Sequence, residues 1–381
     1  MENDTPNINE EPDETNLPND TGDTGDTGDT GGTEPTGAPG ETGAPGERSK
    51  IKAYKGICAK LGIIMTVYFV CRILGGLISS WTSGLTGAMS GAAAYAVSVL
   101  ISVVTVYAIP IIVTVIVFKS ISYYRENGGL RTLYKRPRRL ARALGTFPAM
   151  IGLGYGIVLI TLLVSYLITR YTAGQTFVQD LLRPNAIEAP SDVASVLMMV
   201  FLLVVIAPVF EEFLVRGIMY DALKPYGCGM AIIISSVLFG LMHGSLDKLF
   251  YTTALGLALG YVRYATGSLF VVTILHALVN SVAAVLLFLF SMAEITEYAY
   301  RLLNTMLYIY VLAFLVLTIV GIVVFIRKIP VIRKYKIENE WKEIGAGKKT
   351  ALFFVSIPVI IMLVFAINEH MYGWLLYLII R

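Results

Sequence analysis

Glu211, Glu212 and Arg216 stand at the end of an uncharged run from Val193 to Phe210. A charge at the centre of a membrane helix costs roughly 2.5–3.5 kcal/mol on insertion scales, so such groups face a protein interior or a wet cavity. Three of them within six residues mark a site. His243, His276 and Asn280 follow in further apolar segments. Glu, His, His and Asn with a second Glu/Arg pair, held in lipid, have few chemical uses. In one, Glu211 takes a proton from water that His243 orients, and His276 with Asn280 donates hydrogen bonds to the oxyanion of a tetrahedral intermediate. In another, Glu211 or Glu212, His243 and His276 ligate a divalent metal such as zinc, with water in the open position. Both hydrolyse an amide by water; the cofactor is then either a metal or none. No serine or cysteine nucleophile with a neighbouring base is evident, which disfavours an acyl-enzyme.

These groups must be positioned by helices. Glu212 and Arg216 are i,i+4 and can pair on one face, while Glu211 is rotated by about 100°. That division leaves Arg216 holding one carboxylate and the other free to handle a proton. Phe239-Gly-Leu-Met-His243 closes the next helix, and His276 and Asn280 are again i,i+4 in a later one. With a rise of 1.5 Å per residue, Glu211 lies roughly 18–20 Å from its cytoplasmic helix end, His243 about 20 Å and His276 to Asn280 about 12–18 Å. All fall in one slab near mid-membrane.

The composition agrees with a membrane setting. The chain has 381 residues, 55% of them hydrophobic, and only 15% are charged where soluble domains carry about a quarter. Of the 27 acidic residues, 13 precede Arg48, the first basic residue, so the remainder is about two-to-one basic. Those cations sit in loops, where they orient a membrane protein, and form no nucleic-acid patch. Cys58, Cys71 and Cys228 have no paired spacing, which argues against a disulfide framework or a thiolate metal site. Residues 1–50 form an acidic low-complexity tail with Thr-Gly-Asp repeats, and the reading is a disordered segment with no part in the chemistry.

Apolar segments follow at roughly 56–80, 90–118, 146–168, 193–223, 230–246, 249–265, 268–290, 305–326 and 351–367, most of them near the 20 residues that cross a bilayer. The loops 119–145 and 327–349 are strongly basic and should both be cytoplasmic, which requires an even number of crossings between them. That makes 249–265 a short spanning segment. Arg48, Lys50, Lys52 and Lys55 put the N-terminal tail in the cytoplasm as well. The Gly152–Gly156 and Gly256–Gly260 pairs read as helix-packing contacts. The expected fold is an all-α polytopic membrane protein with about eight or nine transmembrane helices around a buried catalytic cavity. Its parts are the tail at 1–50, N-terminal helices at 51–190, a catalytic core at 191–292 and C-terminal helices at 293–381.

Glu-Glu-x-x-x-Arg, then Phe-x-x-x-His, then His-x-x-x-Asn, in this order, resembles the type II CAAX-protease family, also called CAAX-protease and bacteriocin-processing proteins. The resemblance covers roughly residues 193–290. It implies an α-helical intramembrane endopeptidase in a cell membrane, in which Glu211 and His243 activate water and His276 and Asn280 form the oxyanion hole. Glu212 and Arg216 then support the site. The implied partner is a peptide or protein substrate, prenylated for CAAX-type processing, or a bacterial peptide for maturation or bacteriocin immunity. Two other classes compete: a non-catalytic membrane regulator or scaffold retaining the fold, and a proton-coupled transporter. The first calls for a missing catalytic group and the second for two similar halves, and the sequence has neither.

Overall fold

The computed structural model describes residues 45–118 (except 88 and 90), scattered positions between 134 and 160, 192–293 (except 245), 297–334 and 344–370. The acidic tail before residue 45, most of the basic loop 119–145, the stretch 161–191, part of the loop 327–349 and the C-terminal end lie outside the described residues. The described chain is helical apart from short turns, with no strand in it. Helix α1 spans Pro45–Thr86. A single rod follows, made of α2 (Gly91–Ser102), a π-helical turn π1 (Val103–Ala108) and α3 (Ile109–Phe118). A second interrupted rod carries α4 (Val193–Phe201), π2 (Leu202–Ile206), α5 (Ala207–Glu212), π3 (Phe213–Met219) and α6 (Tyr220–Leu223). Then come α7 (Cys228–Leu241), α8 (Leu246–Thr266), α9 (Leu269–Ala293), α10 (Glu297–Lys334), α11 (Ala346–Phe354) and α12 (Ile357–His370).

Among the described residues, four stretches are long and apolar enough to cross a bilayer: Ser49–Thr82, Gly91–Phe118, Val193–Tyr226 and Tyr300–Val324. A fifth exists if Gly347–Phe354 and Ile357–Ile367, bent by 72°, count together. The bend breaks the expected single span at 351–367, and its cause is Pro358, which lacks a donor and whose ring crowds the preceding turn. The other expected crossings fall on shorter apolar helices such as Cys228–Leu241, or outside the described residues. Helix α8 has 21 residues but is not one of the apolar spans, because Arg263 and its several threonines, tyrosines and glycines dilute the apolar side chains.

Close packing of α8 on α7 depends on glycine. A Cβ at Gly256 would lie 3.0 Å from Ser236 Cα, and one at Gly260 would lie 3.0 Å from Ile232 Cγ2. The Gly-x-x-x-Gly pair is therefore a packing seam, as its spacing suggests. The lower end of the site-bearing rod is tied down as well. Lys349 Nζ donates to Tyr226 O at 2.7 Å, and Tyr54 Oη of α1 donates to Lys349 O at 2.9 Å.

Candidate active site

Glu212 and Arg216 meet as the i,i+4 spacing requires. Arg216 Nη1 donates to Glu212 Oε1 at 2.9 Å, and both side chains are fully buried. Arg216 Nη2 donates to Gly256 O at 3.1 Å, where the missing Cβ admits the guanidinium. The guanidinium also lies 4.3 Å from the Phe239 ring centroid, a desolvated cation–π contact. His276 Nδ1 donates to the same Glu212 oxygen at 2.8 Å. Its Nε2 therefore turns toward Glu211, whose Oε2 is 3.9 Å away. Glu211 is the more open carboxylate, with 14% of its side chain exposed against none for Glu212.

Helix α7 stops at Leu241, so His243 sits in the turn just beyond it rather than in the helix that the sequence leads one to expect. Gly244 ends the helix with φ 63°, a left-handed conformation that glycine adopts without strain. His243 Nδ1 lies 2.9 Å from Phe239 O. A carbonyl only accepts, so Nδ1 carries the proton and Nε2 keeps its lone pair. The Phe239 ring stands edge-on to both imidazoles, 4.9 Å from His243 and 5.5 Å from His276. Phe239 thus joins the two histidines and Arg216, giving the aromatic of Phe-x-x-x-His a role that its spacing alone does not reveal.

Asn280 is engaged elsewhere. Its Nδ2 donates to Leu203 O at 2.9 Å, in π2. Ala207 N bonds Leu202 O in the i→i+5 register, so the next donor would serve Leu203 O. That residue is Pro208, which has no N–H. The orphaned carbonyl is taken by Asn280, and α9 is thereby fastened to the rod that bears Glu211. A similar event occurs at π3. Tyr220 N bonds Val215 O, and the return to i→i+4 spacing skips the Arg216 carbonyl. Arg263 Nε donates to it at 3.4 Å, while Arg263 Nη2 pairs with Asp221 Oδ2 at 2.7 Å.

A half-open cleft with room for about one water lies over Glu211, lined by Tyr68, Tyr107, Pro110, Phe210, Leu214 and Met242 among others. Arg72, within electrostatic reach of Glu211 and His243, sits on α1 nearby. Sequence reasoning missed Arg72, Asp221 and Arg263, although each is a lone charge in an apolar setting and the argument that found Glu211 applies to them too. Among the described residues no three His, Cys, Asp or Glu side chains form a metal-holding group. Of the four named as candidate ligands, Glu212 is occupied by Arg216 and His276, while His276 and His243 each keep Nε2 uncommitted.

The decisive comparison concerns the segment that carries all six residues. Residues 193–282 match the family model of the type II CAAX prenyl endopeptidase Rce1-like proteins. The Rce1-like segment runs from the start of α4 into α9 and contains Glu211, Glu212, Arg216, His243, His276 and Asn280. It supports protease activity at the level of the family. The four apolar stretches long enough to cross a bilayer make the chain a multi-pass membrane protein. No curated protein and no solved structure matches the chain.

Proposed function

We propose that the chain is an intramembrane endopeptidase that hydrolyses a peptide bond near the C-terminus of a membrane-associated protein or peptide, by direct attack of water. The observation that carries this reading is the buried Arg216–Glu212–His276 relay beside a second carboxylate, Glu211, that opens onto a cleft. Arg216 neutralises Glu212, and Glu212 orients His276. Glu211 takes a proton from the water in the cleft as its oxygen attacks the scissile carbonyl carbon. His243 Nε2, kept as an acceptor by the Nδ1–Phe239 contact, receives that water's other hydrogen bond. His276, in its doubly protonated form, donates Nε2–H to the oxyanion. Glu211 then returns its proton to the leaving nitrogen as the C–N bond breaks, giving a carboxylic acid and an amine.

In this reading Asn280 shares the oxyanion role through its second amide hydrogen while the first holds Leu203 O. The basic loops argue for a cytoplasmic N-terminus, and the 191–292 segment is the catalytic core. A C-a-a-X tail prenylated at its cysteine is the substrate class that the family match favours. The test uses full-length protein in liposomes with a peptide library that includes prenylated and unprenylated C-a-a-X tails, read by mass spectrometry. Release of C-terminal fragments from the prenylated peptides, lost in Glu211→Gln, is the expected outcome. Absence of cleavage throughout the library would refute it in favour of a non-catalytic regulator.

A further inference from the structure

Helix α1 lies outside the Rce1-like segment, yet two of its side chains hold the turn that bears His243. The last carbonyls of a helix have no partners within it. At the end of α7 the Met242 carbonyl receives Tyr68 Oη at 3.2 Å and Arg72 Nη1 at 2.6 Å, using both lone pairs. Arg72 Nη2 reaches His243 O at 3.4 Å. Tyr68 and Arg72 are i,i+4 on α1, so both tips arrive from one face. Their partners lie 174 and 170 residues away in sequence. An arginine in the Ser49–Thr82 span is expensive, and a guanidinium fork is the side chain that meets two carbonyls at once.

We propose that Tyr68 and Arg72 are positioning residues for His243: they lock the 242–244 turn so that the His243 imidazole keeps Nε2 directed at the water beside Glu211. This rests on the role assigned to His243 above. Three constraints then fix the imidazole: the left-handed Gly244, the Nδ1–Phe239 O contact and the α1 clamp on its backbone. The first two come from the Rce1-like segment and the third from a helix beyond it.

The chain has three histidines, His243, His276 and His370, so imidazole nitrogens in histidine-labelled protein can be assigned by single substitutions. The experiment compares full-length wild type with Arg72→Met, Arg72→Lys and Tyr68→Phe in nanodiscs, by nitrogen NMR and by peptide hydrolysis. Arg72→Met should shift or broaden the His243 signals and leave those of His276. It should lower kcat about 100-fold, as expected for a misplacement near 1 Å, with KM nearly unchanged. Arg72→Lys should recover part of the rate, and Tyr68→Phe should show the same pattern in smaller measure. Unmoved His243 signals in Arg72→Met would overturn the proposal. So would a raised KM with kcat intact, because Arg72 would then contact substrate. Should Arg72→Met fail to fold, Tyr68→Phe carries the test, and unchanged signals and kcat there would overturn it. Inactivity of the wild type would refute the peptidase reading, while the imidazole signals would still decide the positioning role.

Discussion

Arg216 and Glu212 set up an experiment in which a second mutation should repair the first. Both are fully buried, and Glu212 Oε1 holds Arg216 Nη1 at 2.9 Å and His276 Nδ1 at 2.8 Å. Arg216→Met leaves a buried carboxylate without its cation, which costs about 3–5 kcal/mol. It also removes the bond to Gly256 O and the contact with Phe239. Glu212→Gln keeps an acceptor for His276 and removes only the charge, at a cost of about 3 kcal/mol for the guanidinium left behind. In the double variant neither charge remains. It should therefore be about 2 kcal/mol more stable than Arg216→Met alone, since the desolvated carboxylate was the dominant penalty. Denaturant unfolding of the four proteins in matched detergent micelles reads the cycle. A double variant less stable than Arg216→Met, or losses that simply add, would mean that the two charges are not coupled, and the buried relay would be refuted.

Asn280→Ala should cost about 1–3 kcal/mol in the same unfolding assay, because the Leu203 carbonyl that Pro208 orphans is left without a donor. Asn280→Asp should be worse, since a carboxylate oxygen would then face that carbonyl. Gly256→Ala should destabilise by about 1–3 kcal/mol, with its Cβ 3.0 Å from Ser236 Cα and 3.2 Å from Arg216 Nη2. Peptide hydrolysis should fall with it, as the guanidinium is pushed from its seat. Arg263→Met should lose about 3–5 kcal/mol by stranding the buried Asp221, and Asp221→Asn/Arg263→Met should regain part of that loss.

The candidate site was legible because lipid makes charge conspicuous. Glu211, Glu212 and Arg216 break an apolar run, and helical spacing pairs Glu212 with Arg216 on one face, as the 2.9 Å contact bears out. Equal depth suggested that His276 would reach the same place, and its Nδ1 does reach Glu212. Other features depend on backbone irregularities that side-chain periodicity does not encode. The π-helical turns change which carbonyl is free, so Asn280 goes to Leu203 O and Arg263 to Arg216 O. The end of α7 falls before His243 because Gly244 adopts a left-handed conformation, and residue counting along an ideal helix overlooks it. Arg72 is separated from its partners by 170 residues or more, a distance that no local pattern spans. The break before Pro358 was readable in principle, yet an apolar run of the right length concealed it.

The central claim is that Glu211 activates water while Glu212 orients His276. Initial rates of peptide hydrolysis by wild type, Glu211→Gln and His243→Ala in liposomes test it most directly, with folding checked by unfolding transitions. The account predicts well-folded variants, with a loss of about 10³-fold or more for Glu211→Gln and about 10²-fold for His243→Ala. Cleavage that survives both substitutions would contradict it.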